Sequence, residues 1–261
     1  MVLLEETYDL GHGKLAGVSM SVTVLHCAPM TPQAFVHQDA DGVTLLVETE
    51  QGLVLMDTGL GLQDHLAPNR YMKICRRLMG WHVKPESTAI QQLAEMGIIP
   101  EEIKHIILTH VHFDHAGGLP DFPNAQVHVH QREFDAIRRP KKFMDFVGHN
   151  KDNFAHKPDW RLYQDPVEDW FGFNAIRLPF TPSIYLVELH GHTSGHCGIA
   201  VEKEKGGWFF YVGDAAPANL DYGMAPDWLI KLVLGNASMR LKTLQTEYPA
   251  VEMIAGHVWA D

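Results

Sequence analysis

The sequence predicts an α/β protein in which two β-sheets are covered by helices. Three observations predict it. Residues 42–59, GVTLLVETEQGLVLMDTG, place β-branched and leucine runs on either side of EQG, which reads as a hairpin. Residues 183–214, SIYLVELHGHTSGHCGIAVEKEKGGWFFYVGD, repeat the device: strand, loop, strand, a turn at KEKGG, and a further strand. Between and after these β-rich halves the pattern turns helical.

The remaining elements follow in chain order. RYMKICRRLMG, residues 70–80, reads as an amphipathic helix. Ser87 is placed to cap TAIQQLAEMG, with Gly97 at its end. IKHIILTH is an apolar run of strand length, QVHVH is another strand, and QREFDAIRR continues as a helix. Residues 136–180 are the least regular stretch, with Pro140, Pro158, Pro166 and Pro179 among many aromatics. A loop-rich insertion of that length is either a satellite hydrophobic cluster or a substrate-covering lid. NASMRLKTLQTEY is a helix with Asn236 or Ser238 as cap and Pro249 as stop, and VEMIAGH is the last strand.

Composition narrows the function classes. The chain has 261 residues, 46% of them apolar and 20% charged, the balance of an ordinary globule. Its net charge of −11 repels phosphate backbones, which argues against a nucleic-acid partner and leaves a small neutral substrate open. Cys27, Cys75 and Cys197 are an odd number without CxxC spacing, which fits a reducing compartment. The opening MVLLEETYDL lacks the basic and apolar regions of a secretory leader, and no apolar run is long enough to span a bilayer. A cytoplasmic protein with no membrane partner is therefore expected; a homodimer stays open.

One segment concentrates metal-binding side chains. THVHFDHAGG, residues 109–118, holds His110, His112, Asp114 and His115. Past the end of a strand, His110 and His112 point the same way, while Asp114 and His115 form a separate pair. One cation could use the first pair and a second cation the other, and both would need further ligands. Three loops supply them after strand-like runs: GHTSGH offers His192, YVGDAA offers Asp214 and IAGH offers His257. Each alone is more often a structural histidine or a turn aspartate. After HxHxDH, and in this order, they form a set. His128 and His130 also share a strand face, but no carboxylate follows at ligand spacing; His105, His190 and His196 read as core, surface or supporting positions.

HVHFDH, GHTSGH, GD and a terminal GH resemble the metallo-β-lactamase superfamily, from the DTG of residues 57–59 to His257. The resemblance implies a single domain over residues 1–261, a four-layer αβ/βα sandwich of two mixed sheets, with a lid insertion at about 136–180. It implies His110, His112 and His192 on one metal, Asp114, His115 and His257 on another, and Asp214 bridging both. Asp57 resembles the family's buried loop aspartate, an orienter of ligands.

Two divalent cations roughly 3.5–4 Å apart can share a water and lower its pKa towards ~7. The class implied is thus metal-dependent hydrolysis with two zinc ions, although such ligands also accept Fe, Mn or Co. Asp114 would orient the attacking hydroxide. Within the superfamily, Asp214 with His110 argues against the true β-lactamases, and His112 against the flavodiiron reductases. The short stretch after His257 argues against glyoxalase II. The pattern is most similar to the N-acyl homoserine lactonases, which open a lactone ring; thioesters and phosphotriesters are the alternative substrates, and a non-catalytic binding domain is the remote one. The helix at 70–80 and the lid would then wall an acyl chain. Many of those lactonases carry a tyrosine three residues after the bridging aspartate. Here that position is Pro217, and Tyr222 is the nearest candidate to take its catalytic place.

Overall fold

The structure is a computed structural model that describes residues 22–31, 39–165, 167–203 and 206–259. The leader reading of the first ten residues, and positions 204 and 205 of the KEKGG turn, lie outside the described residues.

Strands β1 (Val22–His26), β2 (Ala40–Thr49), β3 (Gly52–Met56), β4 (Ile103–Ile107), β5 (Gln126–His130) and β6 (Asp159–Tyr163) lie side by side in that order in the first sheet. Strands β7 (Glu168–Trp170), β8 (Phe173–Leu178), β9 (Ile184–Glu188), β10 (Cys197–Glu202), β11 (Trp208–Tyr211) and β12 (Val251–Ile254) form the second, again in sequence order. Both sheets are mixed: β1–β3 are antiparallel and β3–β6 parallel, while β11–β12 is the parallel pair of the second sheet. Strand β13 (His257–Trp259) pairs with β2. The helices are α1 (Leu62–Leu66), α2 (Arg70–Met79), α3 (Ala89–Glu95), α4 (Phe113–Ala116), α5 (Gln131–Arg138), α6 (Phe143–Val147), α7 (Asp227–Leu234) and α8 (Ala237–Glu247).

Period-two alternation sorts each strand into layers. Leu45, Val47, Val54, Met56 and Ile107 face Leu186, Ile199, Val201, Phe209 and Tyr211 in the cleft between the sheets. The intervening Leu46, Leu55 and Ile106 turn outward against Ala89 and Leu93 of α3. Val187, Ala200 and Phe210 turn outward against Ile230 of α7 and Leu241 and Leu244 of α8. Each fully buried leucine or isoleucine contributes roughly 1.5–3 kcal/mol. A one-residue slip would send every such side chain to the wrong layer, so the alternation sets the register. The result is the helix–sheet–sheet–helix sandwich expected.

Three local readings change. Ser87 does not cap α3: its hydroxyl bonds Lys84 O, and Thr88 is the N-cap residue. The hairpin turn is Glu50–Gln51, with Gly52 at φ +109° opening β3. VEMIAGH is not one strand. β12 ends at Ile254 in the second sheet, and after Ala255 and Gly256 the chain enters β13 in the first. Residues 136–180 carry the end of α5, α6, the edge strand β6, and β7 and β8 of the second sheet. Of this stretch, α6 lies nearest the histidine cluster, with Met144 O 3.1 Å from His112 Nε2.

Candidate metal centre

The seven side chains expected as ligands converge where the two sheets meet. His110, His112, Asp114 and His115 follow β4, His192 follows β9, Asp214 follows β11, and His257 follows β12. They form two groups, His110–His112–His192–Asp214 and Asp114–His115–His257; within each group the candidate ligand atoms lie within 4.8 Å of one another. Asp214 joins them. Its Oδ2 lies 3.4 Å from His192 Nε2 and 3.9 Å from His110 Nε2. Its Oδ1 lies 3.2 Å from His115 Nε2 and 3.4 Å from His257 Nε2. Asp114 Oδ2 is 3.5 Å from His257 Nε2, and His112 Nδ1 is 3.2 Å from His192 Nε2.

The far nitrogens set the tautomers. His115 Nδ1 donates to Asp57 Oδ2 at 2.8 Å, and His112 Nε2 donates to Met144 O at 3.1 Å. The Thr109 hydroxyl is spent on Asp57 Oδ2 at 2.7 Å, so its oxygen accepts from His110 Nδ1 at 3.0 Å. In His110 and His112 the inward nitrogen therefore keeps its lone pair, the form a metal requires, and in His115 the inward nitrogen is the Nε2 that faces Asp214 Oδ1. His110 Nε2, His115 Nε2 and Asp214 Oδ1 are buried without a hydrogen-bond partner. Orphaned buried acceptors of this kind are costly unless something electropositive fills the gap between them. The residues thus fit a bound metal cofactor.

Electrostatics agrees. Burial, reinforced by the neighbouring imidazoles, holds His110 well below the ordinary histidine range, and burial with His192 does the same to His112. Burial works against a charge on His115 and His257 too, but Asp214 and the other carboxylates outweigh it and raise both. Burial also disfavours charge on Asp214, yet His115 and His257 hold it well below the usual carboxylate range. A bound cation would take the place of the protons on that side.

The surroundings are built to hold this geometry. Asp57 sits at φ +58°, an uncommon conformation for a side-chain-bearing residue. Its carboxylate is locked by Thr109 N at 2.8 Å, the Tyr211 hydroxyl at 2.9 Å and His115. Gly148 allows the His112 ring to pack on the backbone, since a Cβ there would stand 2.0 Å from His112 Cδ2. Two acids that sequence reasoning missed secure the loop of His192. Glu133 accepts from Val111 N, the Thr193 hydroxyl and Gly195 N, at 3.0, 2.8 and 2.9 Å. Asp145 accepts from Ser194 N at 2.8 Å and from its hydroxyl. The available signal was faint: Glu133 lies three positions from the buried Ala136 on α5, so it shares that helix's inner face.

Other expected residues fall elsewhere. Tyr222 is not drawn into the cluster. It is buried under the second sheet among the α7 and α8 side chains, with Lys242 Nζ 5.7 Å from its ring centroid. Positive φ at Asn219 and Leu220 turns the chain between Asp214 and Tyr222. Burial raises its phenol to about 12. His196 supports rather than joins: its Nε2 accepts from Asp214 N at 3.1 Å. His128 spends both nitrogens, on Tyr163 OH at 2.8 Å and His105 at 3.1 Å. His130 lies beside Glu188 and His190 in a third group of metal-type side chains. Its Nδ1 accepts from Arg132 N, however, so its proton sits on the Nε2 that faces Glu188 Oε1 at 3.3 Å, and no lone pair is left for a cation.

Comparison with known proteins extends this picture. Residues 39–240 match the family described as the Metallo-beta-lactamase superfamily. A probable metallo-hydrolase of Mycobacterium tuberculosis is 35% identical over 173 residues, 66% of this chain and 55% of that protein. An N-acyl homoserine lactonase of a Bacillus species is 27% identical over 175 residues, 66% of this chain and 62% of that protein. The chain thus spans little more than half the length of these relatives in the matched region. Among solved structures, a mutant of Bacillus thuringiensis AiiA with N-decanoyl-L-homoserine bound at its active site superposes with a TM-score of 0.66 at 18% identity, covering 91% of this chain and 92% of that one. AidC, a dizinc quorum-quenching lactonase, superposes with a TM-score of 0.57 at 19% identity, covering 96% and 92%. At these identities the superpositions speak for the fold.

Proposed function

The chain belongs to the metallo-beta-lactamase superfamily, and from that premise we propose that it is a dinuclear metal-dependent hydrolase that opens an ester or lactone, with N-acyl homoserine lactones as the first substrate class. The observation that carries the reading is the split of Asp214, whose two oxygens face two different sets of imidazoles. In this reading His110, His112, His192 and Asp214 would hold one zinc, and Asp114, His115, His257 and Asp214 would hold the other. When bound, such cations supply Lewis acidity, lowering the pKa of a water towards ~7 and polarising an ester carbonyl.

The chain's own groups do the rest. Asp114 is one of the less enclosed members of the cluster, its side chain 10% exposed. It orients the attacking water, takes its proton and returns it to the leaving alcohol oxygen. Asp57 fixes the His115 ring, and Glu133 and Asp145 fix the loop of His192, so the ligands need no rearrangement during reaction. Helices α2 and α6 are tied together by the Tyr71 hydroxyl, which donates to Val147 O. Tyr71 also packs edge-on against Phe113 of the metal loop. The surface between these helices is suited to an acyl chain. On such a substrate the reaction would quench a lactone signal.

The test is ring opening of a long-chain N-acyl homoserine lactone by the zinc-loaded protein, followed by proton release, beside a chelator-stripped control. Rapid, metal-dependent opening is expected. No opening with two zinc equivalents bound would discard the lactone, and thioesters and phosphotriesters would be assayed next.

A further inference from the structure

One stretch of surface runs against the acidic balance of the chain. Residues 138–146 read RRPKKFMDF. Four of the 21 Lys and Arg residues fall within five positions, in a protein of net charge −11. Arg138, Arg139, Lys141 and Lys142 are all exposed. Phe143 and Phe146 follow, 76% and 73% exposed. The segment's acid is turned inward: Asp145 is buried and accepts from the backbone N–H groups of Lys141 and Lys142. Within the segment the outward face is therefore cationic and aromatic; of the exposed carboxylates on the flanking helices, Asp135 accepts from Gln131 and Asp227 is paired with Lys242 at 3.2 Å.

The patch continues across the loop of His192. Lys142 Nζ donates to Gly191 O at 2.8 Å, and Gly191 packs directly on Gly235 at the end of α7. Helix α7 exposes Trp228 (67%) and Leu232 (74%), with the exposed Lys231 between them. Aromatic and aliphatic tips interleaved with ammonium and guanidinium groups thus stand on both sides of that loop. The cations call for an anionic partner, and the large apolar tips for a medium that lets them leave water. A nucleic acid would answer the first need and not the second. A bilayer with anionic headgroups answers both, through long basic side chains at the phosphates and Phe, Trp and Leu at the acyl boundary.

We infer that the face formed by residues 138–146 and α7 docks on an anionic lipid surface, which places the His112–His192 side of the metal centre beside the bilayer. No helix among the described residues is long and apolar enough to cross a membrane, and none is needed: the docking is peripheral and reversible. The inference stands apart from the hydrolase reading, because it concerns binding and not turnover.

The test is cosedimentation of the full, zinc-loaded chain with vesicles of phosphatidylcholine alone and with about a third phosphatidylglycerol, in ~0.1 M salt. Binding to the anionic vesicles is expected to be at least about tenfold tighter, since each basic residue near such a surface contributes about fivefold. Salt at ~0.5 M should remove most of that difference. Arg139→Glu with Lys141→Glu should weaken binding by more than about twentyfold. Phe143→Ser with Phe146→Ser should abolish whatever binding survives high salt. If the charge-reversed protein does not fold by circular dichroism, Arg138→Gln with Arg139→Gln and the salt titration of the unmodified chain decide. Absence of vesicle binding, equal binding to both vesicles, or folded variants that bind like the unmodified chain would each overturn the inference.

Discussion

Two His-X-His pairs follow or lie within neighbouring parallel strands, and they come to opposite ends. His110 and His112 stand past the end of β4; His128 and His130 lie within β5. All four rings are buried, and burial lowers the pKa of all four, His128 to about 3. Neither burial nor titration tells the pairs apart. What differs is the second nitrogen of each ring. At 110 and 112 it is occupied by a hydroxyl or carbonyl, which leaves the inward nitrogen free and aimed at Asp214 or its neighbour His192. At 128 both nitrogens are spent, and at 130 a backbone N–H takes the lone pair. A metal-type histidine is recognised by an unused lone pair beside a carboxylate.

The comparison can be broken most sharply at its shared carboxylate. Asp214→Asn should lower bound zinc by at least one equivalent and cut hydrolysis by on the order of a thousandfold, measured by metal analysis and turnover, because the charge that both imidazole sets face would be gone. A fully loaded, fully active variant would end the two-cation reading.

Next come the two pairs themselves. His110→Ala should lose zinc, whereas His128→Ala and His130→Ala should keep it. The latter two should instead lose roughly 1–3 kcal/mol of stability by leaving Tyr163 or the Arg132 N–H without its partner, a fall of several degrees in Tm. Asp57→Asn sharpens the point at one remove from the metals. It should weaken zinc affinity by about 10–100-fold, by loosening the His115 ring, without removing a ligand.

The smallest expected effect is on pH dependence. Burial pushes Glu133 up to about 7, against hydrogen bonds from Thr193, Val111 and Gly195 that work the other way. Between about pH 4.5 and pH 7 the folded chain holds a proton that the unfolded chain has released. Stability should therefore fall as pH rises through that window, by at most about 3 kcal/mol from this residue. Denaturant unfolding of the zinc-free protein and of Glu133→Gln across the window should show a flatter profile in the variant. Equal slopes would remove Glu133 as the source.

Much of the frame was legible because its signals are local. The continuous apolar runs LLV, LVLM and IAV marked strands whose two faces both meet apolar layers, and these are the strands observed. HxHxDH compresses four candidate ligands into six positions, so it reads without any tertiary knowledge. β6, β7 and β8 were hidden because edge strands and proline-flanked segments carry weak alternation. The place of Tyr222 among the α7 and α8 side chains was not legible, because it depends on how those helices pack on the second sheet.

The two-sheet architecture and the residue types and order of the candidate metal centre are readable from apolar runs, from the compact HxHxDH and from the loops that end in His192, Asp214 and His257. Only the tertiary structure decided which nitrogen of each histidine is free, that the oxygens of Asp214 face two different groups, and that His257 stands where the chain crosses between sheets. It also decided that Glu133 and Asp145 hold the loop of His192. The reason is range: most of these outcomes rest on contacts between residues far apart in sequence, such as His112 with Met144, His115 with Asp57 and Gly195 with Glu133, and no local pattern records which distant partner claims a lone pair.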